Sequence, residues 1–460
     1  MYLKIIDKLR NKKVAIVGFG REGKSTYNFI RKYLPTQRLY ILDKNVLLSK
    51  GNFEEDQNVS FILGDHYLDN LDYYDLIIKA PGISFKDIDI SNIKDSITSE
   101  VNLLLEFFSN NVIGVTGTKG KSTTSSLLYK VLKDQGKDVY LCGNIGTPIF
   151  DYIDKIKEDT MLVVEMSAYH TEFITKAPHV GIILNLFPEH LDYFGTAEKY
   201  FNSKLNMFKK QNKTDFAIYS ADNDTLNSCV VKSKVKSNLI KIVSTSSFSD
   251  VVEESVICDE KFVYYKKDNY LKRIYDLSDK RNLLGRHNVE NIMFVLAVAY
   301  LFDLDMNMAA SSINSFLPLE HRMEYVGKFK EILFYNDSIA TIPRATINCL
   351  ETLKNVDTLI VGGMDRNIEY EELITYLKNS SVRNIICLPD TGYKIGKMLE
   401  NSKNVFFVDS IKEAVSLSYN VTLKNKSCLL SPAASSYNLY KNFEERGRDF
   451  KDMVKYFSSK

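Results

Sequence analysis

Residues 116–124 of this 460-residue chain read Thr-Gly-Thr-Lys-Gly-Lys-Ser-Thr-Thr, and these residue types at this spacing suit one chemistry, the holding of phosphate. Glycines let a loop turn tightly and aim its N–H groups at phosphate oxygens. A helix that opens there adds a partial positive charge and unpaired donors. Lys121 can then reach the β- and γ-phosphates, and the Ser122 hydroxyl can bind Mg²⁺. The strict P-loop pattern has glycine where this chain has Val115, so the match is to TGTxGKST. The plainer reading is a glycine-rich turn before an ordinary helix. An apolar strand candidate before the loop, and an amphipathic helix expected over 122–135 and stopped by Gly136, supply the strand–loop–helix context that the motif requires.

A second glycine-rich turn, 18–23, reads Gly-Phe-Gly-Arg-Glu-Gly and follows the apolar run 13–17. A helix is expected from about 24 to 33, then a strand 39–42 ending at Asp43. GxGxxG with an acid about 20 residues on is the dinucleotide fingerprint. Its physics selects a pyrophosphate, so NAD competes with any nucleotide diphosphate, and a tight turn without ligand competes with both. A short apolar run at 76–78 leads into Ala80-Pro81-Gly82-Ile83, a turn at a strand end. Asn144 lies in the turn Gly-Asn-Ile-Gly, and Glu165 ends the strand candidate 161–165. An acid there suits Mg²⁺ beside phosphate, or else a strand-end ion pair. His190 follows the strand candidate 180–186, and Lys204 sits on a helix expected over 196–211. A lone histidine is usually structural and a helix lysine usually solvated, so only company promotes them.

These residues need rigid elements to place them, and the chain has the length for two to four domains. Sixty basic and 58 acidic residues leave a net charge of +2, which argues against bulk nucleic acid as partner. Six scattered cysteines with no CxxC pair fit reduced thiols in a cytoplasmic protein rather than a disulfide frame or zinc site. No apolar run approaches a membrane span, and Asp7, Lys8 and Arg10 break any signal-peptide pattern. Residues 213–280 alternate and read as β-rich. Gly285 to Asn291 open a helix, 289–301, in which Asn288 and Asn291 could serve as caps or as ligands. From 318 onward, strands are expected near 331–335, 356–361, 383–388, 404–408 and 427–430. Helices are expected near 343–354, 369–379, 392–401, 410–422 and 440–457. Such alternation predicts a mostly parallel sheet, with polar strand ends at 336–338, 362–366 and 431–436 gathered at one edge.

The order of motifs resembles the Mur ligase family over nearly the full chain. The resemblance rests on TGTKGKSTT (116–124), GNIG (143–146), EMSAYHTE (165–172), NLFPEHLDYF (185–194), GRHNVEN (285–291), EHRME (320–324) and LSPAASSYNLYKNFEERGRDF (430–450). It implies an α/β fold of three domains: a Rossmann-like 1–100 for the UDP-substrate, a P-loop ATPase-type 101–317, and a Rossmann-like 318–460 for the amino acid. It further implies a cytoplasmic, monomeric ligase without nucleic-acid or membrane partners. That ligase would join glutamate, D in the family pattern, to UDP-N-acetylmuramoyl-L-alanine through an acyl phosphate, with ATP and two Mg²⁺.

The resemblance also assigns residues. Gly18, Arg21, Glu22, Asp43, Pro81, Gly82 and Asn144 would bind the UDP-substrate. Thr116, Gly117, Thr118, Lys119, Gly120, Lys121, Ser122, Asn288, Asn291 and Arg322 would bind ATP. Ser122, Glu165, His190 and a carbamylated Lys204 would hold metal. Lys121, Lys204, His190 and Asp337 would serve catalysis, and His321, Arg322 and Asp337 would close over ATP. Thr341, Arg366, Ser436 and Phe443 would receive glutamate.

Departures cluster in that last pocket. Ile339 and Ile342 replace a family lysine and asparagine, and Arg366 stands where the family has lysine. Arginine offers a planar fork where lysine offers a point charge, so L-glutamate stays beside D-glutamate. Three rivals remain: another Mur-type or folylpolyglutamate-type ligase, a non-catalytic P-loop switch, and an NAD oxidoreductase resting on 18–23 alone.

Overall fold

The computed structural model describes residues 2–50, 56–244, 254–366 and 368–460. The chain divides into two compact units: Met1–Arg281 with Arg286–Phe316, and Asn282–Gly285 with Leu317–Lys460.

The first unit holds two sheets. One has five parallel strands in the order Val59–Leu63, Leu39–Asp43, Val14–Val17, Leu76–Lys79, Ile97–Thr98. Strand order reverses beside Val14–Val17, and ligands of open parallel sheets bind outside the strand ends at such a point. The two ends there are the turns at Gly18 and Ala80. Gly18 has φ +89, and a Cβ on it would lie 2.9 Å from the Ala80 Cβ, so only glycine lets the turns press together.

The second sheet has nine strands, running Tyr270–Asp276, Phe262–Lys267, Ser255–Cys258, Asn238–Val243, Phe216–Ser220, Val180–Ile183, Val112–Thr116, Met161–Glu165, Val139–Gly143. Only the pairings among its first three strands are antiparallel. Val112–Thr116 pairs in parallel with a strand on each side, in the registers Val115 to Glu165 and Thr116 to Ile183. The phosphate loop, Glu165 and the Asn185 loop therefore leave the same sheet edge.

The stretch expected to be β-rich also contains a helix, Asp224–Ser233. Asn223 caps it by accepting the Leu226 N–H, and Leu226 and Val230 are buried one turn apart, a helical spacing inside an otherwise alternating segment. The helix Glu100–Phe108, capped by Ser99, buries Leu103, Leu104 and Leu105 in a core shared with Ile5, Leu9, Val112 and Phe150. Each such leucine contributes roughly 1.5–3 kcal/mol.

The second unit is a six-stranded sheet in the order Glu324–Phe329, Ile332–Asn336, Ser427–Leu430, Val356–Gly363, Asn384–Asp390, Asn404–Phe407. Only its first pair is antiparallel. Apolar clusters cover both faces, one with Leu359, Ile385 and Leu429, the other with Ile360, Ile386 and Leu430. The fold class is α/β, as the alternation predicts.

Candidate active site

The helix Lys121–Asp134 opens directly after Gly120, whose φ of +87 admits the turn. Leu127, Leu128, Val131 and Leu132 bury its inner face. The loop is tied to the neighbouring strand end: the N–H of Thr118 donates to the Asn185 carbonyl (2.9 Å), and that of Lys119 to Asn185 Oδ1 (2.8 Å). The Lys119 ammonium pairs with Glu189. Lys121 Nζ folds back onto the carbonyls of Gly117 and Thr118, at 3.0 and 2.9 Å. From the helix Arg286–Leu301, Asn291 Oδ1 accepts from Thr124 Oγ1 (3.1 Å), and Asn291 Nδ2 donates to Asn288 Oδ1 (3.1 Å). A Cβ at Gly120 would meet Asn291 Oδ1 at 2.7 Å, so Asn291 lies against the loop's base, with Asn288 bonded to it.

Lys204 lies on the helix Ala197–Lys209, whose cap Thr196 accepts the Lys199 N–H. It is 1% exposed. Its Nζ donates to the Gly117 carbonyl (2.9 Å), contacts Thr116 Oγ1 (3.4 Å), and sits 4.9 Å from the Tyr200 ring centroid. Burial first, then the Lys121 charge, push its amine well below the usual lysine range, against Glu189 and Glu165. No ion pair joins Lys204 to a carboxylate among the described residues.

Glu165 is fully buried. Its Oε1 accepts from Asn144 Nδ2 at 2.8 Å, while Oε2 has no hydrogen-bond partner among the described residues. An orphaned carboxylate oxygen at the sheet edge beside a phosphate loop fits a hard divalent cation. His190, in a left-handed conformation (φ +56), rests on the rings of Tyr169 and Tyr200. No cluster of three or more His, Cys, Asp or Glu residues occurs among the described residues.

At the first sheet, Asp43 Oδ2 accepts the Phe19 N–H (2.7 Å) and so fastens the glycine turn. Arg21 donates to the carbonyls of Gly143 (3.1 Å) and Asn144 (3.3 Å), linking that turn to the GNIG loop. Glu22 points elsewhere: its Oε1 accepts from His170 Nε2 at 3.1 Å. The Ser167 N–H donates to His170 Nδ1, which fixes this tautomer. In the facing turn Pro81 is half-buried and Gly82 exposed.

In the second unit, the polar strand ends converge on a residue that sequence reading passed over. Arg446 is 1% exposed, and its guanidinium donates to Ser338 Oγ (3.0 Å), the Ser338 carbonyl (2.8 Å) and the Ala434 carbonyl (3.0 Å). With a further bond to the Gly362 carbonyl (3.5 Å), three strand-end loops are held by one cation that has no carboxylate partner among the described residues, and burial lowers it to about 10. The signal available in sequence was only an arginine at a helical position facing Phe450 and Val454. Asp337 is buried, accepting from Ser431 Oγ (2.9 Å) and the Met323 N–H (3.2 Å), and burial raises its carboxyl to about 6. His321 is buried near the Phe443 ring, and Arg322 follows it. Ser436 is buried, Thr341, Ile339, Ile342 and Phe443 are half-buried, and Arg366 is exposed.

Residues 115–299 match the Mur ligase middle domain, and residues 321–434 match the Mur ligase, glutamate ligase domain. The chain is 32% identical over 458 residues to the UDP-N-acetylmuramoylalanine--D-glutamate ligase of Clostridioides difficile (strain 630), covering 97% of this chain and 99% of that one. Its fold is similar to the MurF ligase of Thermotoga maritima in complex with ADP: TM-score 0.59, 18% identity, 99% of this chain and 96% of that chain covered. It is also similar to E. coli FolC in complex with ADP: TM-score 0.55, 16% identity, 78% and 94% covered. With two family domains matched in sequence and a relative aligned end to end, the chain belongs to the Mur ligase family of ATP-dependent amide-bond-forming ligases.

Proposed function

We propose that the chain joins glutamate, in the D form, to the alanyl carboxylate of UDP-N-acetylmuramoyl-L-alanine at the expense of ATP. The end-to-end likeness to a D-glutamate-adding relative carries this reading. The reaction belongs to the cytoplasm, and a monomer suffices for it. In the first step a carboxylate oxygen of the substrate attacks the γ-phosphorus. The bond to the ADP oxygen breaks, leaving an acyl phosphate. The amine of glutamate, having given up its proton, then attacks the acyl carbon. The tetrahedral adduct expels phosphate and an amide remains.

The chain's residues supply position and charge. N–H groups of the 116–122 loop cradle the phosphates, and Lys121 leaves its two carbonyls to meet the charge gathering on the γ-phosphoryl. Glu165, held by Asn144, and His190 would hold Mg²⁺ with Ser122, which when bound offsets phosphate charge. Burial and the Lys121 charge favour the neutral amine of Lys204, and a neutral amine adds CO₂. The carbamate so formed would give the site a second anionic arm and hold a second Mg²⁺. Thr341, Arg366, Ser436 and Phe443 supply the amino-acid pocket, and Asp337 serves catalysis. The exchanges to Ile339, Ile342 and Arg366 favour a second reading, the same ligation with L-glutamate.

Hydroxylamine tests the intermediate. With ATP, Mg²⁺ and the UDP-substrate but no glutamate, it should yield the hydroxamate of that substrate along with ADP. Folded, ATP-binding enzyme that forms none contradicts the acyl phosphate.

A further inference from the structure

Beneath the 80–83 turn lies a buried cation that no assigned role uses. Lys79 ends the strand Leu76–Lys79 and is 3% exposed. Its Nζ stands 5.8 Å from the Phe85 ring centroid and 5.7 Å from those of Phe173 and Tyr193. Three ring faces attract a cation, and that attraction, a hydrogen bond from Nζ to the Ala80 carbonyl (3.4 Å) and nearby carboxylates offset its lost hydration. The charged groups facing it are Glu172 and Glu22. Burial draws Lys79 down to about 8 and lifts the Glu172 carboxyl, each opposed by the other's charge.

The contacts around Tyr193 give this cage a direction. Its hydroxyl oxygen is 2.9 Å from Glu172 Oε2 and 3.0 Å from the Ile83 carbonyl oxygen. A phenol has one proton and a carbonyl can only accept. Both contacts are hydrogen bonds when Glu172 is the acid: Glu172 donates to Tyr193, and Tyr193 donates to Ile83. Lys79 then faces the Glu22 carboxylate, which accepts from His170. Ile83 closes the 80–83 turn, with its N–H donating to the Ala80 carbonyl (3.2 Å), and its side chain is what a Cβ on Gly18 would strike at 2.9 Å. The Tyr193 N–H in turn donates to the His190 carbonyl at 3.1 Å. One side chain thus joins the nucleotide-side turns to the segment bearing a candidate metal ligand.

We propose that Lys79, Glu172 and Tyr193 are positioning residues that brace the 80–83 turn for the nucleotide-sugar substrate. The proposal rests on the function assigned above. It places the cost of losing the brace on binding of the UDP-substrate, not on binding of ATP.

Full-length wild type and the variants Tyr193→Phe, Lys79→Met, Glu172→Gln and Glu172→Met are compared by steady-state kinetics. Binding of UDP-N-acetylmuramoyl-L-alanine is measured by calorimetry. Tyr193→Phe, which removes one oxygen, should raise KM and Kd for the UDP-substrate about tenfold, with KM for ATP within about twofold of wild type. Lys79→Met and Glu172→Met should do the same. Glu172→Gln keeps a donor toward Tyr193 and should stay within about threefold. If Lys79→Met does not fold, Tyr193→Phe and the Glu172 pair decide.

Wild-type turnover with a silent Tyr193→Phe overturns the brace alone. So does equal damage from Glu172→Gln and Glu172→Met, or a loss that falls equally on both KM values together with melting temperature. Wild type that binds ATP but not the UDP-substrate overturns the substrate assignment and the brace with it.

Discussion

Lys204 is a lysine placed where a charged lysine is unfavourable: buried, beside Lys121, and offered carbonyl and hydroxyl oxygens instead of a carboxylate. Its amine titrates lower in the folded than in the unfolded chain. Below the folded value, protonation therefore penalises folding, and the penalty fades as pH rises toward the ordinary lysine value of 10.5. Lys204→Met should be more stable than wild type at neutral pH by roughly 1 kcal/mol. The gap should narrow as pH rises, while glutamate-dependent turnover drops by about two orders of magnitude or more. Denaturant titration at several pH values checks the first part, and a less stable Lys204→Met contradicts it.

Asp337 has the opposite sign of shift. Its folded value of about 6 exceeds its ordinary 3.8, so it contributes stability below 3.8 that is lost as pH climbs through 6. Asp337→Asn should be the more stable protein above pH 6, and the two should converge near pH 4. A constant difference across that window would assign the effect to packing.

At the scale of elements, the sequence was most readable where periodicity and burial coincide. Strands Val356–Gly363 and Ser427–Leu430 are buried on both faces, mostly apolar, and stand at or close to their expected bounds. The edge strand Glu324–Phe329 was not anticipated, because half its side chains are polar and its register breaks near Gly327. Residue pairs set by distant segments were equally invisible. Lys79 reads as a strand end until Phe85, Phe173 and Tyr193 arrive around it, and Glu22 reads as part of a ligand turn until His170 takes its carboxylate. The loop 116–122 and its helix were legible because their signal is local: glycines, a lysine and a helix start.

Gly447 shows how a long-range contact outweighs a local preference. It lies within the helix Phe443–Ser458, where alanine is the better helix former by about 1 kcal/mol. A Cβ there would stand 2.2 Å from His321 Nδ1. Gly447→Ala should therefore destabilise the protein by about 1–3 kcal/mol. A stabilised variant would show that His321 moves aside freely.

At the scale of the molecule, two units each own their apolar cores, the first unit's shared by its two sheets. Among the described residues no helix is long and apolar enough to cross a membrane. With separate cores, calorimetry should resolve two unfolding transitions. Since the phosphate loop lies in the first unit, ADP at about 100 times its Kd should stabilise that unit by about 2.7 kcal/mol. Lys121→Ala should remove most of that gain. A single transition, or a gain indifferent to Lys121→Ala, would contradict this division of labour.

The central claim is that this chain adds glutamate to UDP-N-acetylmuramoyl-L-alanine. Its most direct test is ADP and phosphate release from ATP, Mg²⁺ and that substrate, with D-glutamate and L-glutamate supplied in separate reactions. The account predicts turnover with D-glutamate and none with L-glutamate, which makes Ile339, Ile342 and Arg366 tolerated changes in the pocket. Turnover with L-glutamate alone would make those same residues the mark of a rebuilt pocket. No turnover with either, by folded protein that binds ATP, would contradict the account and leave only the phosphate-handling core in place.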